Sequence, residues 1–244
     1  PGATEAASKS PGVGRHPWGR MLPLRAIAPV RTKPRRTYDE FVEEFSPEGD
    51  HIPLVLWANE NDEAFVTALN DFGKESGLYS EISVKRLGRR PGYPVQLLVR
   101  AGGPKANLVD VGYGVSQALP VIVEAIRVRN STRFLLQQPE VHLHPRAQAA
   151  LGTFVVQVMQ QREHQFVIET HSDYIVDRIR LEIARGRISP ADVALLWFDR
   201  GGSETQVHRI ELDANGNIVN APDGYRKFFM EEEVALLTKG SRSE

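Results

Sequence analysis

Polar residues that could handle a metal ion or a phosphate follow a short apolar run in the middle of the chain. Residues 134–136 read Phe-Leu-Leu, and Gln137, Gln138, Pro139 and Glu140 come directly after them. In open α/β sheets, ligands bind at the carboxyl ends of the strands. Side chains at that place can hold Mg²⁺ and orient a water molecule beside a phosphate. The segment therefore predicts phosphate chemistry if residues 134–136 form a buried strand.

Two other segments could face the same ligand. In residues 166–172, FVIETHS, polar residues again follow an apolar run, and His171 could donate a hydrogen bond to a γ-phosphate. Residues 110–117, DVGYGVSQ, contain Gly112 and Gly114, which let the backbone approach a ligand closely before a helix begins. Alone, a glycine pair is usually a turn and such a histidine is usually structural. Together and in this order, the three segments are much more specific.

Hydrophobic periodicity predicts the elements that would position these segments. Three apolar runs predict buried strands: residues 134–136, 166–168 and 193–198. Helical spacing predicts three helices: residues 115–129, residues 145–162, and a helix capped by Ser172 or Asp173. Pro120 is expected in the first turns of the earliest helix, where its missing N–H matters least. This alternation predicts an α/β fold with a parallel sheet and right-handed crossovers.

The chain before this unit divides into two parts. Residues 1–36 are basic and rich in proline, which is typical of an extended arm or connector. A solvated arm and an arm that touches phosphate remain alternatives for it. Residues 37–106 predict a helical and β-hairpin part: a short amphipathic helix within 37–50, a helix over 53–77 ended by Gly77, and two strands joined at Pro91-Gly92.

Residues 107–200 hold the three segments described above, and residues 201–244 form a C-terminal extension. In the extension, alternating apolar residues predict a strand over 207–212, a turn at 213–217 and a strand pairing back at Ile218 and Val219. A helix is expected from about residue 225 to residue 237.

Composition excludes several classes of protein. The chain has 244 residues, no cysteine and a net charge of −1, so disulfides, cysteine-based zinc sites and a global attraction to nucleic acid are excluded. No apolar run approaches the roughly 18 residues of a membrane span. We therefore expect a cytoplasmic protein that does not enter a membrane. Because the first residue is Pro1, a fragment or a processed chain is also expected.

The order of these motifs resembles the second half of an ABC-type ATPase head of the SMC, RecF and OLD-like group. It is most similar to a bacterial family of uncharacterised AAA ATPases, whose members typically read G-x-G-x-S-Q, then E-Q-P-E-x-H-L-H-P, then E-T-H-S. The resemblance extends over roughly residues 24–237 and is strongest over 107–180; Arg31 falls in that family's P-L-R segment. It implies the C-terminal lobe of a P-loop NTPase head, with a parallel sheet flanked by helices and a small C-terminal β-rich and helical extension.

The resemblance also implies ATP and Mg²⁺ as cofactors and assigns a role to each motif. Residues 112–117 take the place of the signature motif, which caps the nucleotide of the opposite subunit in a head-to-tail homodimer. Its nucleotide-binding residues would be Gly112, Gly114, Ser116 and Gln117. Gln137 falls on the metal-binding Walker B acid, Gln138 on the catalytic glutamate, residues 141–145 on the D-loop and His171 on the switch histidine. Such heads usually drive partners related to DNA or to defence.

Two departures from that pattern affect the expected activity. The sequence contains no G-x-x-x-x-G-K-[S/T] loop, so this chain alone is expected to be inactive, with the Walker A half lost or on another chain. Gln137 and Gln138 are amides, which bind metals weakly and cannot accept a proton. Glu140 could then act as the catalytic base in the complete protein.

Two alternatives to an ATP-hydrolysing function remain open. The chain could be a non-catalytic interaction module that assembles with a complete ATPase. It could also be a hydrolase that uses a metal-bound water, with ligands drawn from His142, His144, Glu140 and His164. The simpler interpretation of His144 is that it caps the helix starting at Pro145.

Overall fold

The computed structural model describes residues 22–88, 94–201, 203–222 and 224–240. The helices are α1 (Ile52–Ala58), α2 (Glu63–Ser76), α3 (Tyr113–Arg127), α4 (Pro145–Arg162), α5 (Asp173–Ala184) and α6 (Lys227–Gly240). The strands are β1 (Leu24–Ile27), β2 (Glu81–Arg86), β3 (Val95–Arg100), β4 (Ala106–Asn107), β5 (Arg133–Gln137), β6 (Gln165–Glu169), β7 (Leu195–Gly201) and β8 (Glu204–Ile210).

A parallel sheet in the order β1-β5-β6 carries the fold. The predicted α/β architecture is confirmed, because Phe134 and Leu136 of β5 are buried in one core together with α3 and α4. Strand β1 was not predicted, since it lies inside residues 1–36, which were interpreted as an arm. The rest of that arm up to residue 21, including its Gly12-Gly14 pair, lies outside the described residues.

The prediction that the third apolar run, residues 193–198, joins the parallel sheet was wrong. Strand β7 pairs antiparallel with β8 in a separate two-stranded sheet. Its apolar residues alternate in exposure: Leu196 and Phe198 face solvent, whereas Trp197 is half-buried. Such alternation is typical of an antiparallel strand with one solvated face, and the short apolar run did not distinguish it from a fully buried strand.

The segment before α1 contains no helix, contrary to the prediction for residues 37–50. Its backbone instead pairs with the chain that follows β1: the amide of Ala28 donates to Pro47 O at 3.0 Å and that of Thr32 to Glu48 O at 2.9 Å. The predicted helix over 53–77 is two helices, because Asp62 accepts a hydrogen bond from the amide of Phe65 and starts α2 anew.

Several predicted boundaries are confirmed. Gly77 ends α2 in the left-handed conformation, with φ of 75°. Strands β2 and β3 form the predicted antiparallel pair, although their connection at Pro91-Gly92 lies outside the described residues. Helix α4 spans the predicted residues, Ser172 caps α5 by accepting from the amide of Ile175, and Leu212 pairs with Ile218 across the predicted turn.

Helix α3 differs from its prediction at its start. It begins at Tyr113 with Gly112 as its N-cap, so Pro120 lies in the helix interior instead of its first turns. The proline ring packs against Gly49, where an added Cβ would stand 2.5 Å from Pro120 Cγ. Close packing of this buried helix therefore compensates for the hydrogen bond that an internal proline removes.

Candidate functional site

The predicted site residues at the ends of β5 and β6 meet at one edge of the parallel sheet. Gln137 and Glu169 are paired residues of the two strands. The amide of Gln138 then donates to the carbonyl of Glu169 at 2.8 Å, which extends the ladder by one bond. Gln138 adopts a left-handed backbone with φ of 43°. The chain therefore leaves the sheet abruptly at this residue, ahead of Glu140.

Glu140 connects the loops that follow the two strands. Its side chain is only 9% exposed, and Oε1 accepts a hydrogen bond from the backbone amide of His171 at 2.7 Å. Its second oxygen, Oε2, is buried and has no partner among the described residues. Glu140 therefore fixes the backbone that carries His171, while the His171 side chain itself stays exposed at the sheet edge.

A buried arginine joins this loop to the first turns of α3. Arg31 is 2% exposed; its Nη1 donates to Gln117 O at 2.9 Å and its Nη2 to Gln138 O at 3.5 Å. Burial lowers the pKa of Arg31 to about 10, and the charge of Glu140 acts in the opposite direction. The family's P-L-R segment was the one sequence signal for this residue, and it gave no indication of this role.

Three buried polar atoms in this group lack partners in the described part of the chain: Arg31 Nε, Gln117 Nε2 and Glu140 Oε2. Most buried polar atoms in proteins form hydrogen bonds, because an unpaired one costs about 1–3 kcal/mol. The unpaired atoms are two donors and one acceptor, and they belong to the residues that hold the site together. We call Arg31, Gln117 and Glu140 the edge cluster.

The predicted signature segment lies at the N-terminus of α3. Gly112 is exposed, but Gly114 is within the first turn of the helix and buried. An added Cβ at Gly114 would stand 2.7 Å from the carbonyl oxygen of His142, so glycine allows α3 to pack directly on the segment predicted to be the D-loop. Ser116 donates to Tyr113 O at 2.8 Å within the helix and is buried, as is Gln117.

The histidines considered as metal ligands have separate surroundings. His144 accepts from the amide of Ala147 at 3.3 Å and caps α4, as the simpler interpretation predicted. His164 is buried between the amide of Thr132 and the carbonyl of Val128, and burial lowers its pKa. No group of three His, Cys, Asp or Glu residues that could hold a metal ion exists within the described ranges.

One face of the parallel sheet is open to solvent. Leu24 of β1 is 59% exposed and Val167 of β6 is 57% exposed, whereas Phe134 and Leu136 on the opposite face are buried. Parallel sheets normally have both faces covered. In the described part of the chain, β6 pairs only with β5, so this sheet also has a free edge next to the site.

Mg²⁺, which was expected at this edge, prefers oxygen ligands. The donors present are the amide oxygen of exposed Gln137 and the carboxylate of exposed Glu169, the residue paired with it. This set fits a magnesium ion chemically, although the acid comes from β6 and not from β5. Glu169 was not predicted as a site residue; its position at the end of an apolar run, like that of Gln137, was the signal available. Among the described residues, no helix is both long and apolar enough to cross a membrane.

Comparison with solved structures found weak likenesses. An SMC ATPase from work on ATP-driven dimerization and DNA-stimulated activation is 11% identical, with 73% of this chain and 97% of that chain covered and a TM-score of 0.47. The Smc head domain of Pyrococcus furiosus, bound to the C-terminal domain of ScpA, is 11% identical over 80% of this chain and 45% of that chain, with a TM-score of 0.45. The SMC head domain from Thermotoga maritima is 10% identical over 66% and 52%, with a TM-score of 0.41. TM-scores this low do not support a conclusion about function.

Comparison with protein families identifies the family to which this chain belongs. No curated protein matches the chain with significance. Residues 29–177 match the family described as "AAA domain, putative AbiEii toxin, Type IV TA system". The match covers more than half of the chain and includes all three segments singled out above, so the chain belongs to this family of AAA-domain P-loop ATPases.

Proposed function

We propose that this chain is the lobe of an ATP-hydrolysing AAA/ABC-type ATPase that carries the signature helix, the Walker B strand and the switch histidine. The observation that carries the proposal is the hydrogen bond from the His171 amide to Glu140. This bond brings together the loops after β5 and β6, and Arg31 joins them to α3. Such a meeting of strand ends is where nucleotides bind in open α/β folds.

A phosphate-binding half supplied by another segment or another chain would complete this lobe. The 244 residues contain no Walker A motif, so ATP binding needs a loop from elsewhere. The open face of the parallel sheet and the free edge of β6 support this proposal, because a further strand and helix would cover both. The division of the chain into four parts, with boundaries at residues 36, 106 and 200, is likewise a proposal.

In the completed site each residue has a distinct proposed task. Gln137 offers an amide oxygen to Mg²⁺, which neutralises charge on the phosphates when bound. Gln138 orients the attacking water without taking its proton, because an amide is not a base. His171 donates a hydrogen bond to the γ-phosphate, where negative charge develops.

Glu140 is the remaining acid for proton transfer. Its Oε1 already holds the His171 amide, so the unpartnered Oε2 is the oxygen that could accept a proton. The carboxylate therefore has a positioning role in addition to the proposed catalytic one. A substitution that keeps the shape but removes the basicity, Glu140→Gln, is expected to abolish turnover in the completed protein.

ATP binding is proposed to close a head-to-tail homodimer, with residues 112–117 of one protomer over the nucleotide of its partner. Gly112 is exposed, and exposed Tyr113 and His142 lie edge to face with ring centroids 4.8 Å apart beside it. These residues give the segment an accessible surface, while buried Ser116 and Gln117 support it from within. A cytoplasmic location and a DNA-related or defence-related partner complete the proposal.

A second candidate is a non-catalytic module that assembles with a complete ATPase. The amides at positions 137 and 138 favour it, because neither can act as a general base. Under this alternative the completed protein would bind ATP without hydrolysing it.

The test is steady-state ATP hydrolysis by this chain joined to its phosphate-binding half. Removing one donor to the transition state typically lowers kcat by about 10²–10³-fold, so we expect that loss for His171→Ala. The matched control is His208→Ala in β8, which contacts Trp197 and lies in a different sheet. Equal rates for the two variants would contradict the role of His171, and ATP binding without turnover in the wild type would favour the non-catalytic module.

A further inference from the structure

The Walker B strand of this chain ends without a carboxylate. Gln137 and Gln138 occupy the two positions where the motif places acids, and Glu140 is turned inward to the amide of His171. Protein sites for Mg²⁺ commonly use one or two carboxylates together with substrate phosphates and water. A site built on amides alone would hold the ion weakly, so an acid from another element is needed.

The register of the parallel sheet brings one acid to this position. Glu169, the last residue of β6, is the partner of Gln137 at the end of β5. Paired residues of adjacent parallel strands project to the same face, and the strands lie about 4.8 Å apart. Phe134, Leu136 and Ile168 face the core, so Gln137 and Glu169 project to the open face at its carboxyl edge.

The backbone of Glu169 is fixed while its carboxylate is free. Its carbonyl accepts the hydrogen bond from the Gln138 amide, so the strand end is held against the residue that follows Gln137. The carboxylate is exposed and forms no hydrogen bond or ion pair with any residue that the structure describes. Two buried acids of the described residues, Glu124 and Glu182, are instead paired with arginines.

We propose that Glu169 is the carboxylate that binds the divalent cation at this edge, together with the amide oxygen of Gln137. The acid that the Walker B strand lacks is thus supplied by the neighbouring strand. This inference rests on the proposed ATPase function, since it names the metal ligand of that same site. The ligand class is a small hard dication that keeps most of its water molecules.

The experiment uses Mn²⁺ as a paramagnetic probe on the chain alone, without nucleotide. Amide NMR signals of residues 138 and 169–171 should broaden first as Mn²⁺ is added. Glu169→Gln should raise the apparent Kd at these residues about tenfold, which corresponds to about 1.4 kcal/mol. The matched control, Glu204→Gln, changes an exposed strand glutamate of another sheet and should leave the broadening unchanged.

A rescue variant distinguishes a ligand from a general effect of charge. Gln137→Glu in the Glu169→Gln background returns one carboxylate to the same face of the same edge and should restore the broadening. Broadening that survives Glu169→Gln, or that is centred away from this edge, would overturn the proposal. Because the Mn²⁺ titration contains no nucleotide, a negative result would exclude only the proposed role of Glu169. Failure of the completed protein to bind ATP would instead exclude the proposed ATPase function.

Discussion

Two buried charged clusters include residues of α3, one at Glu124 and one at Gln117, and they differ in how well their polar atoms are paired. Glu124 is fully buried, and its oxygens accept hydrogen bonds from His51 at 2.8 Å and from Arg25 and Arg127 at 2.9 Å each. In the edge cluster, Arg31, Gln117 and Glu140 each retain an unpaired buried atom. Glu124 lies seven residues beyond Gln117 in α3, whereas Arg31 and Glu140 of the edge cluster contact the backbone of Gln138 and His171.

The fully paired Glu124 cluster is expected to stabilise the fold, whereas the incompletely paired edge cluster lies next to the predicted site. A buried carboxylate with three donors locks α3 to α1 and β1, since low polarity strengthens a fully satisfied network. A buried group with unpaired atoms lowers the stability of the fold instead, and proteins tolerate such groups mainly at functional sites. The edge cluster contacts the backbone of Gln138 through Arg31 and that of His171 through Glu140.

The largest expected effect follows from removing the charge of Glu124. Glu124→Gln leaves His51, Arg25 and Arg127 without their counter-charge, and breaking a buried ion pair costs about 3–5 kcal/mol. Urea unfolding should show a loss of that size. Glu140→Gln is the matched control and should cost less, because its cluster is already incompletely paired. An equal or larger loss for Glu140→Gln would contradict the comparison.

The same cluster predicts how stability changes in acid. Burial raises the pKa of Glu124, but its hydrogen bond to His51 and the charges of the two arginines outweigh burial and hold the pKa below its ordinary value of 4.5. A carboxyl group whose pKa is lower in the folded state than in the unfolded state stabilises the folded protein at pH values above its unfolded-state pKa. This contribution to the free energy of unfolding is lost as the pH falls through the folded-state pKa. The stability gap between wild type and Glu124→Gln should therefore be constant above pH 4.5 and shrink below it. A gap that widens in acid would exclude this cause.

A smaller effect is expected at the edge cluster. Arg31→Met removes two hydrogen bonds to carbonyl oxygens but also removes a buried cation with an unpaired Nε, so the net loss should be about 1–3 kcal/mol. Arg31→Lys retains the charge and should recover part of it. Hydrogen exchange at the His171 amide should accelerate in Arg31→Met, because the loop that holds Glu140 loosens. Unchanged exchange at His171 would show that Arg31 does not support this loop.

The smallest effect concerns the cap that follows His171. Ser172 accepts from the amide of Ile175 and donates to Gln148 Oε1 at 2.6 Å, so Ser172→Ala should lower the free energy of unfolding by about 1 kcal/mol. Ser189→Ala removes the equivalent cap of an exposed single turn and should cost less in the same urea titration. A reversed order of the two losses would mean that the loop after β6 does not depend on its cap.

Local patterns predicted the elements of the site better than they predicted its contacts. Strands β5 and β6 could be identified from their short apolar runs, and helices α4 and α5 from their helical spacing and the residues that cap them. The pairing of β1 with β5 and of β7 with β8 depends on partners distant in the chain, which periodicity does not encode. Glu140 and the His171 amide are 31 residues apart in sequence, and only the folded sheet brings them together. The buried role of Arg31 was missed for the same reason.

The most direct measurement of the central claim is equilibrium binding of Mg-ATP to this chain alone and to the chain joined to its phosphate-binding half. If this lobe carries the signature, Walker B and switch positions but no phosphate loop, the completed protein should bind ATP at least about a hundredfold more tightly, a difference of about 2.7 kcal/mol. Equally tight binding by the chain alone would contradict the account, because it would require a phosphate site outside the residues assigned to it.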